Sequence, residues 1–230
     1  MKDMLTQSAF FGVVISLLCF EVGLFLKKKT GLAIANPLLV AVLMIVAFLL
    51  LFDIDYEVYA SGAKYIDFFL TPATVSLAVP LYRKLSLLKK YPKAIFGGIA
   101  AGVLTAMVSI FLMSIAFGLT HEQYVTLLPK SITTAIGMGV SEKMGGIVTI
   151  TIVAIAISGI GGNIIAEFVC KVFRITEPIA RGLAIGTASH AMGTARAMEL
   201  GEVEGAMSSL SIVVAGVMTV VSASVFAMFI

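Results

Sequence analysis

The sequence contains no tryptophan, two cysteines, two histidines and few charged residues, which make up 13% of its 230 positions. A soluble domain is about a quarter charged, so this composition argues against an ordinary soluble protein. Cys19 and Cys170 stand in apolar segments without a Cys-x-x-Cys pair, which argues against a disulfide framework or a zinc site. The net charge of +3 includes no basic tail, so we expect no nucleic acid partner.

Long apolar runs dominate what is present, and 60% of the residues are hydrophobic. Runs of about 20 apolar residues are typical of transmembrane helices. The sequence therefore predicts an all-α, polytopic integral membrane protein that forms a single membrane domain in the lipid bilayer. The apolar segments are 8–26, 33–52, 62–82, 94–119, 147–170 and 206–230.

Basic residues cluster in three connecting segments, and their positions indicate orientation. Lys27–Lys29 follow the first apolar segment, and 83–93 and 171–181 carry most of the other cations. Because cytoplasmic loops are enriched in Lys and Arg, we expect these segments on the cytoplasmic side.

Three stretches depart from regular membrane helices. Pro72 and Pro80 fall within 62–82, which predicts a broken helix. The stretch 127–146 is short and polar, which favours a half-helix or re-entrant segment that starts near Pro129. The glycines at 159–162 predict either tight helix contact or local unwinding in the next helix.

A further stretch, 181–200, is polar although it lies between apolar segments. Its sequence is RGLAIGTASHAMGTARAMEL. It alternates small residues with polar ones. Small residues allow close backbone approach, and polar groups at membrane depth must face protein, water or substrate. We therefore expect the functional centre in this stretch.

Weak self-similarity predicts two structural repeats, about 8–119 and about 127–230. The sequence TPATVSLA at 71–78 precedes a long uncharged helix, as TASHAMGT at 187–194 does, and AGVLT at 101–105 matches AGVMT at 215–219. Paired interrupted segments in two halves point to a transporter binding site. Three membrane crossings per repeat would make the repeats inverted, and four would make them parallel. The basic segments favour the inverted arrangement.

Two segments carry a resemblance to a known family. The sequences LPKSITTAIGMGVSEKMGG at 128–146 and ARGLAIGTASHAMGTARAMELGEVEGAMSSL at 180–210 resemble the LrgB/CidB family of antiholin-like, murein-hydrolase-regulating membrane proteins. The resemblance extends to one half of a plant plastid carrier of glycolate and glycerate.

This resemblance implies two alternative functions in a bacterial cytoplasmic membrane. One is a carrier of small carboxylates such as glycolate, glycerate or pyruvate, coupled to protons and linked to control of murein hydrolases and autolysis. The other is a holin- or antiholin-like pore or regulator that acts with a small holin-like membrane partner. We also expect a homo-oligomer, with a dimer favoured.

Cationic and hydroxyl side chains are the candidates for binding a carboxylate. Arg196 and Lys130 could grip an anion, although Arg196 could instead reach the interface and Lys130 could simply flank the membrane. His190 could titrate or donate a hydrogen bond, or serve helix packing. On a regular helix, Thr187, His190 and Thr194 would share one face. The remaining candidates are Ser131, Thr133, Thr134, Ser189, Thr71, Thr74 and Asn163.

An enzymatic function finds little support in the sequence. There is no nucleophile elbow, and the polar stretches contain no paired carboxylates. Ser189 and His190 are adjacent, which is the wrong geometry on a helix for a base that activates a hydroxyl. We therefore expect no catalytic residues, no metal and no cofactor.

Overall fold

The computed structural model describes residues 8, 10–32 and 34–230, without the side chains of Asp67, Leu70 and Thr74. The described chain contains helices and no strands, which confirms the all-α prediction. The helices are α1 (Phe11–Thr30), α2 (Pro37–Leu51), α3 (Tyr56–Asp67), α4 (Leu70–Ser76), α5 (Ala78–Arg83), α6 (Leu85–Lys90), α7 (Pro92–Phe117), α8 (His121–Leu127), α9 (Thr134–Lys143), α10 (Val148–Val172), α11 (Pro178–Leu200), α12 (Glu202–Phe226) and a terminal 3-10 turn, Ala227–Phe229.

Three helices of the described chain are long and apolar enough to cross a membrane: α7, α10 and α12 with its terminal turn. The helices between 56 and 83 supply a fourth if they are taken as one bent span. Many apolar side chains on these helices are exposed, among them Leu112, Ile157 and Val217. An exposed apolar surface of this kind suits contact with lipid, so the chain is a helical membrane protein.

The chain divides into two units, of which the first ends at Ser76. In this unit α1 packs against α2 and α3 around Ile15, Cys19 and Ala41. Asn36 caps α2 by accepting hydrogen bonds from the amides of Leu38 and Leu39 at 2.9 and 3.1 Å, which stabilises the start of a helix.

The predicted break in 62–82 is confirmed, because this stretch forms parts of three short helices, α3, α4 and α5. Pro72 and Pro80 each occupy the third position of a new helix. A proline is tolerated in the first turn, where its missing amide has no helical partner to lose. Each helix therefore ends before the proline that follows it.

The second unit runs from Leu77 to Ile230, and α7 supplies one face of its core. Ile95, Ile99, Val103 and Met107 are buried in this face. Their spacing of four residues places them on one side of the helix. They pack with buried residues of α11 and α12, including Leu183, Met207 and Leu210.

The stretch 127–146 contains a helix of only ten residues, α9, which confirms that it is not a full span. The expectation that a helix starts at Pro129 is wrong. Pro129 lies in the loop after α8, and α9 begins at Thr134 because Thr133 takes the extended backbone of an N-cap. We call residues 128–133 the α8–α9 loop.

Local unwinding at the glycines of 159–162 is also wrong, because α10 is one continuous helix through them. The alternative, tight helix contact, is correct. A Cβ atom added to Gly159 would lie 2.7 Å from the ring of His190, and one added to Gly162 would lie 2.7 Å from the Ser189 Cβ. These glycines therefore admit α11 against the middle of α10.

Helix α11 is a hairpin whose two arms fold back at His190, the residue with non-helical backbone angles. A Cβ on Gly193 would lie 3.0 Å from the carbonyl oxygen of Ile185, although a straight helix would separate these residues by about 12 Å. Ile185 also clusters with Ala197 and Leu200. The first arm is 178–189 and the second is 191–200.

Both arms pack on α12, in opposite directions. Gly182 and Gly186 of the first arm face Glu204 and Ser208, so this arm runs parallel to α12. The second arm runs antiparallel to α12, since Thr194 bonds to Ser208 and Met198 lies against Gly205. The interrupted segment predicted for the C-terminal half is confirmed, whereas the symmetry between repeats 8–119 and 127–230 stays a prediction.

Candidate functional site

The tip of the hairpin lies against the middle of α10. His190 has φ 42° and ψ −137°, a left-handed conformation that costs a non-glycine residue of the order of 1–3 kcal/mol. Its Nε2 donates to the carbonyl oxygen of Ile155 at 3.2 Å. Backbone strain of this kind concentrates at binding sites and switch regions, so the tip is a functional candidate.

Polar contacts fix the second arm. The Thr194 hydroxyl donates to the His190 carbonyl at 2.9 Å and lies 2.7 Å from the Ser208 hydroxyl. Asn163 donates from Nδ2 to the Met192 carbonyl at 2.7 Å. The Asn163 side chain therefore holds the start of the second arm on α10.

A cavity of about 1040 Å³ lies between α7 and the first arm of α11, and we call it the inner cavity. Much of its lining is apolar, with small residues such as Gly98, Gly102 and Ala184 leaving room between the helices. Its polar lining residues are Thr105, Ser109, Lys130, Ser131, Glu177 and Thr187.

Lys130 lines the inner cavity from the α8–α9 loop. The following helix, α9, contacts α10 near the hairpin tip, because the Ile155 carbonyl oxygen bonds to His190 and the Ile155 side chain lies against Gly137 of α9. The Lys130 Nζ donates to the Ser131 hydroxyl at 3.3 Å, and no carboxylate of the described residues lies within ion-pair distance of it.

The ammonium of Lys130 is partly removed from water. The residue lies outside the three candidate membrane spans, and burial lowers the pKa of its ammonium below the ordinary value. An anion beside the ammonium would favour its charged form.

Thr187 also lines the inner cavity, one turn before the tip. Its hydroxyl is buried and has no hydrogen-bond partner among the described residues. Its Cγ2 lies over Gly102 of α7. An unsatisfied buried hydroxyl costs about 1–3 kcal/mol, so a ligand that pairs with it, after the side chain turns toward the cavity, gains binding free energy.

The structure thus brings Lys130, Ser131 and Thr187 into one cavity. The expectation that Thr187, His190 and Thr194 share one face is wrong, since the break at His190 turns them toward α7, α10 and α12 respectively. Ser189 packs on Gly162 of α10.

Other predicted site residues lie elsewhere. Thr133 and Thr134 start α9 and are half-buried, outside the lining of the inner cavity. Thr71 is exposed in the first unit, and the Thr74 side chain is outside the described residues.

Arg196 also lies outside the inner cavity. Its guanidinium forms ion pairs with Glu167 of α10 and Glu199 of its own arm. This arrangement ties the second arm to α10, and it leaves Lys130 as the cation that faces the inner cavity.

Sequence reasoning missed three polar lining residues. Thr105 and Ser109 belong to the uncharged helix α7, where their hydroxyls bond to the carbonyls of Ala101 and Ala106. Glu177 precedes Pro178 at the start of α11 and lines the cavity. The sequence AGVLT at 101–105 ends at Thr105, and its match to AGVMT at 215–219 was the available signal for this residue.

The second unit therefore combines three helices that are long and apolar enough to cross a membrane with a helical hairpin and a cavity at its side, an arrangement typical of a polytopic membrane protein. The model of the LrgB-like family matches residues 16–229. The antiholin-like protein LrgB of Bacillus cereus strain B4264 is 39% identical over 226 residues, covering 98% of both chains. The protein of that name from Bacillus anthracis strain A0248 has the same identity and coverage.

The chain belongs to the LrgB-like family, as the sequence motifs predict. No solved structure matches it. Among the residues that the structure describes, no group of three or more His, Cys, Asp or Glu could hold a metal ion.

Proposed function

We propose that this chain is a carrier of small carboxylates in the bacterial cytoplasmic membrane. The observation that carries the proposal is the inner cavity, where Lys130 has no carboxylate partner among the described residues and Thr187 has an unpaired hydroxyl. A carboxylate suits this pair, because it accepts hydrogen bonds at both oxygens. The apolar lining suits the short hydrocarbon part of such a substrate.

The electrostatics of the cavity support an anionic substrate of low charge. A cation in a weakly polar environment attracts an anion more strongly than in water. Glu177 shares the cavity and repels anions, so a single carboxylate near Lys130 fits better than two. The break at His190 gives the hairpin a place to bend during transport. If transport is coupled to protons at the inner cavity, the flux of substrate changes with pH.

Uptake by proteoliposomes that contain the purified protein alone tests the proposal. We expect saturable uptake of labelled glycolate and pyruvate, and a change in rate when a pH gradient is imposed. Empty liposomes and a labelled amine of similar size serve as controls. Linear uptake, or equal entry of the amine, would contradict a carrier.

Replacing Thr187 with valine should weaken substrate binding without weakening the fold. Valine keeps the shape but removes the unpaired hydroxyl. We expect KM for uptake to rise about three- to tenfold, the value of one neutral hydrogen bond, with an equal or higher melting temperature. Thr105→Val is the matched control, because its hydroxyl already bonds to the Ala101 carbonyl at 2.7 Å. An unchanged KM in Thr187→Val would remove this hydroxyl from the site.

The relatives' name favours a second candidate, an antiholin-like regulator. Here the chain would form a homodimer or assemble with a small holin-like membrane partner and control murein hydrolase activity. This second candidate predicts that liposomes release a trapped dye only when the partner is present. It also predicts that no substrate is taken up in a saturable way. Carboxylate flux could also act on autolysis indirectly. Uptake by the protein and an autolysis phenotype in the same strain would therefore both agree with the carrier proposal.

A further inference from the structure

A second cavity, distinct from the inner cavity, lies where the two ends of the α11 hairpin meet the C-terminal end of α10. Its volume is about 640 Å³, and we call it the basic cavity. Arg181 of the first arm and Leu200 of the second arm both line it. The complete lining is Glu167, Cys170, Lys171, Arg174, Ile175, Thr176, Arg181 and Leu200.

Three of these lining residues are cations, and their charge is only partly neutralised. Lys171 and Arg174 form no ion pair or hydrogen bond through their side chains with other described residues. The lining carboxylate, Glu167, is paired with Arg196. Arg181 contacts Glu204 at 3.3 Å through Nη1, yet its Nε is buried without a partner among the described residues.

The surroundings of the basic cavity are those of a lipid site at the membrane boundary. Lys171 lies in the last turn of the candidate span α10. Beside it, Phe168, Val172 and Phe173 expose 69%, 57% and 72% of their surface. Apolar residues exposed next to a cationic cavity can hold acyl chains while the cations hold the headgroup.

We propose that the basic cavity binds the phosphate headgroup of an anionic phospholipid such as phosphatidylglycerol. Arg181 and Arg174 offer guanidinium groups, which match phosphate oxygens in geometry, and Lys171 adds a point charge. The Thr176 hydroxyl lines the same cavity and is a further donor. A lipid bound there contacts both ends of the hairpin and holds its base against α10.

Lipid titration of the purified full chain, followed by native mass spectrometry, tests this site. We expect phosphatidylglycerol to bind and phosphatidylcholine not to compete. Lys171→Gln combined with Arg174→Gln should weaken phosphatidylglycerol binding roughly 30-fold, at about fivefold per cation near an anionic headgroup. Both side chains are exposed and form no ion pair with another residue that the structure describes, so we expect the variant to keep the fold.

The matched control is Lys89→Gln combined with Lys93→Gln, which removes the same charge from exposed positions outside the basic cavity. We expect its affinity for phosphatidylglycerol to equal that of the wild type. Equal losses in both double variants would mean attraction by the general surface charge and would overturn the site. Displacement of the lipid by millimolar inorganic phosphate would overturn a lipid as the occupant and assign a soluble anion instead.

Discussion

We expect Lys130→Gln to lower kcat/KM for carboxylate uptake by about tenfold to 100-fold. The variant keeps a hydrogen-bonding side chain but removes the cation that faces the inner cavity. A hydrogen bond to a charged group contributes about 1.5–3 kcal/mol, which gives this range of rate loss. Initial uptake rates in proteoliposomes over a series of glycolate and pyruvate concentrations measure the change.

Two further variants separate charge at the site from general effects of Lys130→Gln. Lys130→Arg keeps a cation and should retain most of the uptake. Lys143→Gln removes an exposed lysine of α9 outside the cavity lining and should leave the rate unchanged. Uptake of wild-type magnitude in Lys130→Gln would refute the assignment of this residue to the substrate. Loss of uptake in Lys143→Gln would indicate an effect of net charge.

Gly186→Ala should lower the stability of the protein, because the added methyl group forces the backbones of the first arm and α12 apart. The added Cβ would lie 2.7 Å from the Ser208 Cα and would meet the Ser208 carbonyl oxygen. Overpacking costs about 1–3 kcal/mol, and backbone atoms cannot move aside as a side chain can. Alanine returns about 1 kcal/mol through its helix propensity. We therefore expect the free energy of unfolding to fall by up to about 2 kcal/mol.

Gly161→Ala is the matched control for this substitution. It stands within α10, and a Cβ there would meet nothing within 4 Å. The helix propensity of alanine should then act alone and raise the free energy of unfolding by up to about 1 kcal/mol. Thermal or denaturant unfolding in one detergent compares the two variants. If both shift stability in the same direction, the contact of the first arm with α12 is not as close as described.

The membrane class and the polar character of 181–200 were predictable from the sequence, because both depend on local composition. An uncharged run of sufficient length has few structures available other than a spanning helix, and α7 begins two residues before the predicted start at 94. The breaks at Pro72 and Pro80 follow from the missing amide of proline. The family followed from two long motifs, and the match over 16–229 confirmed it.

The reversal at His190 was not predictable, because it depends on contacts with other helices. Periodicity alone placed Thr187, His190 and Thr194 on one face, whereas the fold directs them to three neighbours. Glycines are equally ambiguous in a single sequence. Gly159 and Gly162 could unwind a helix or admit a neighbour, and only the position of α11 decides for contact. Pro129 suggested a helix start, but it lies in the α8–α9 loop, and the helix begins at Thr134.

The pairing of α11 with α12 has a consequence for the biogenesis of the protein. Each arm has about half of the 23 residues of α11, so it measures roughly 17 Å at 1.5 Å per residue, too short for a hydrocarbon layer of about 30 Å. The arms bury Thr187, Ser189 and Thr194 against α7, α10 and α12 respectively. We therefore expect α11 to remain at the ribosome–translocon boundary until α12 emerges, and the two to enter the bilayer together.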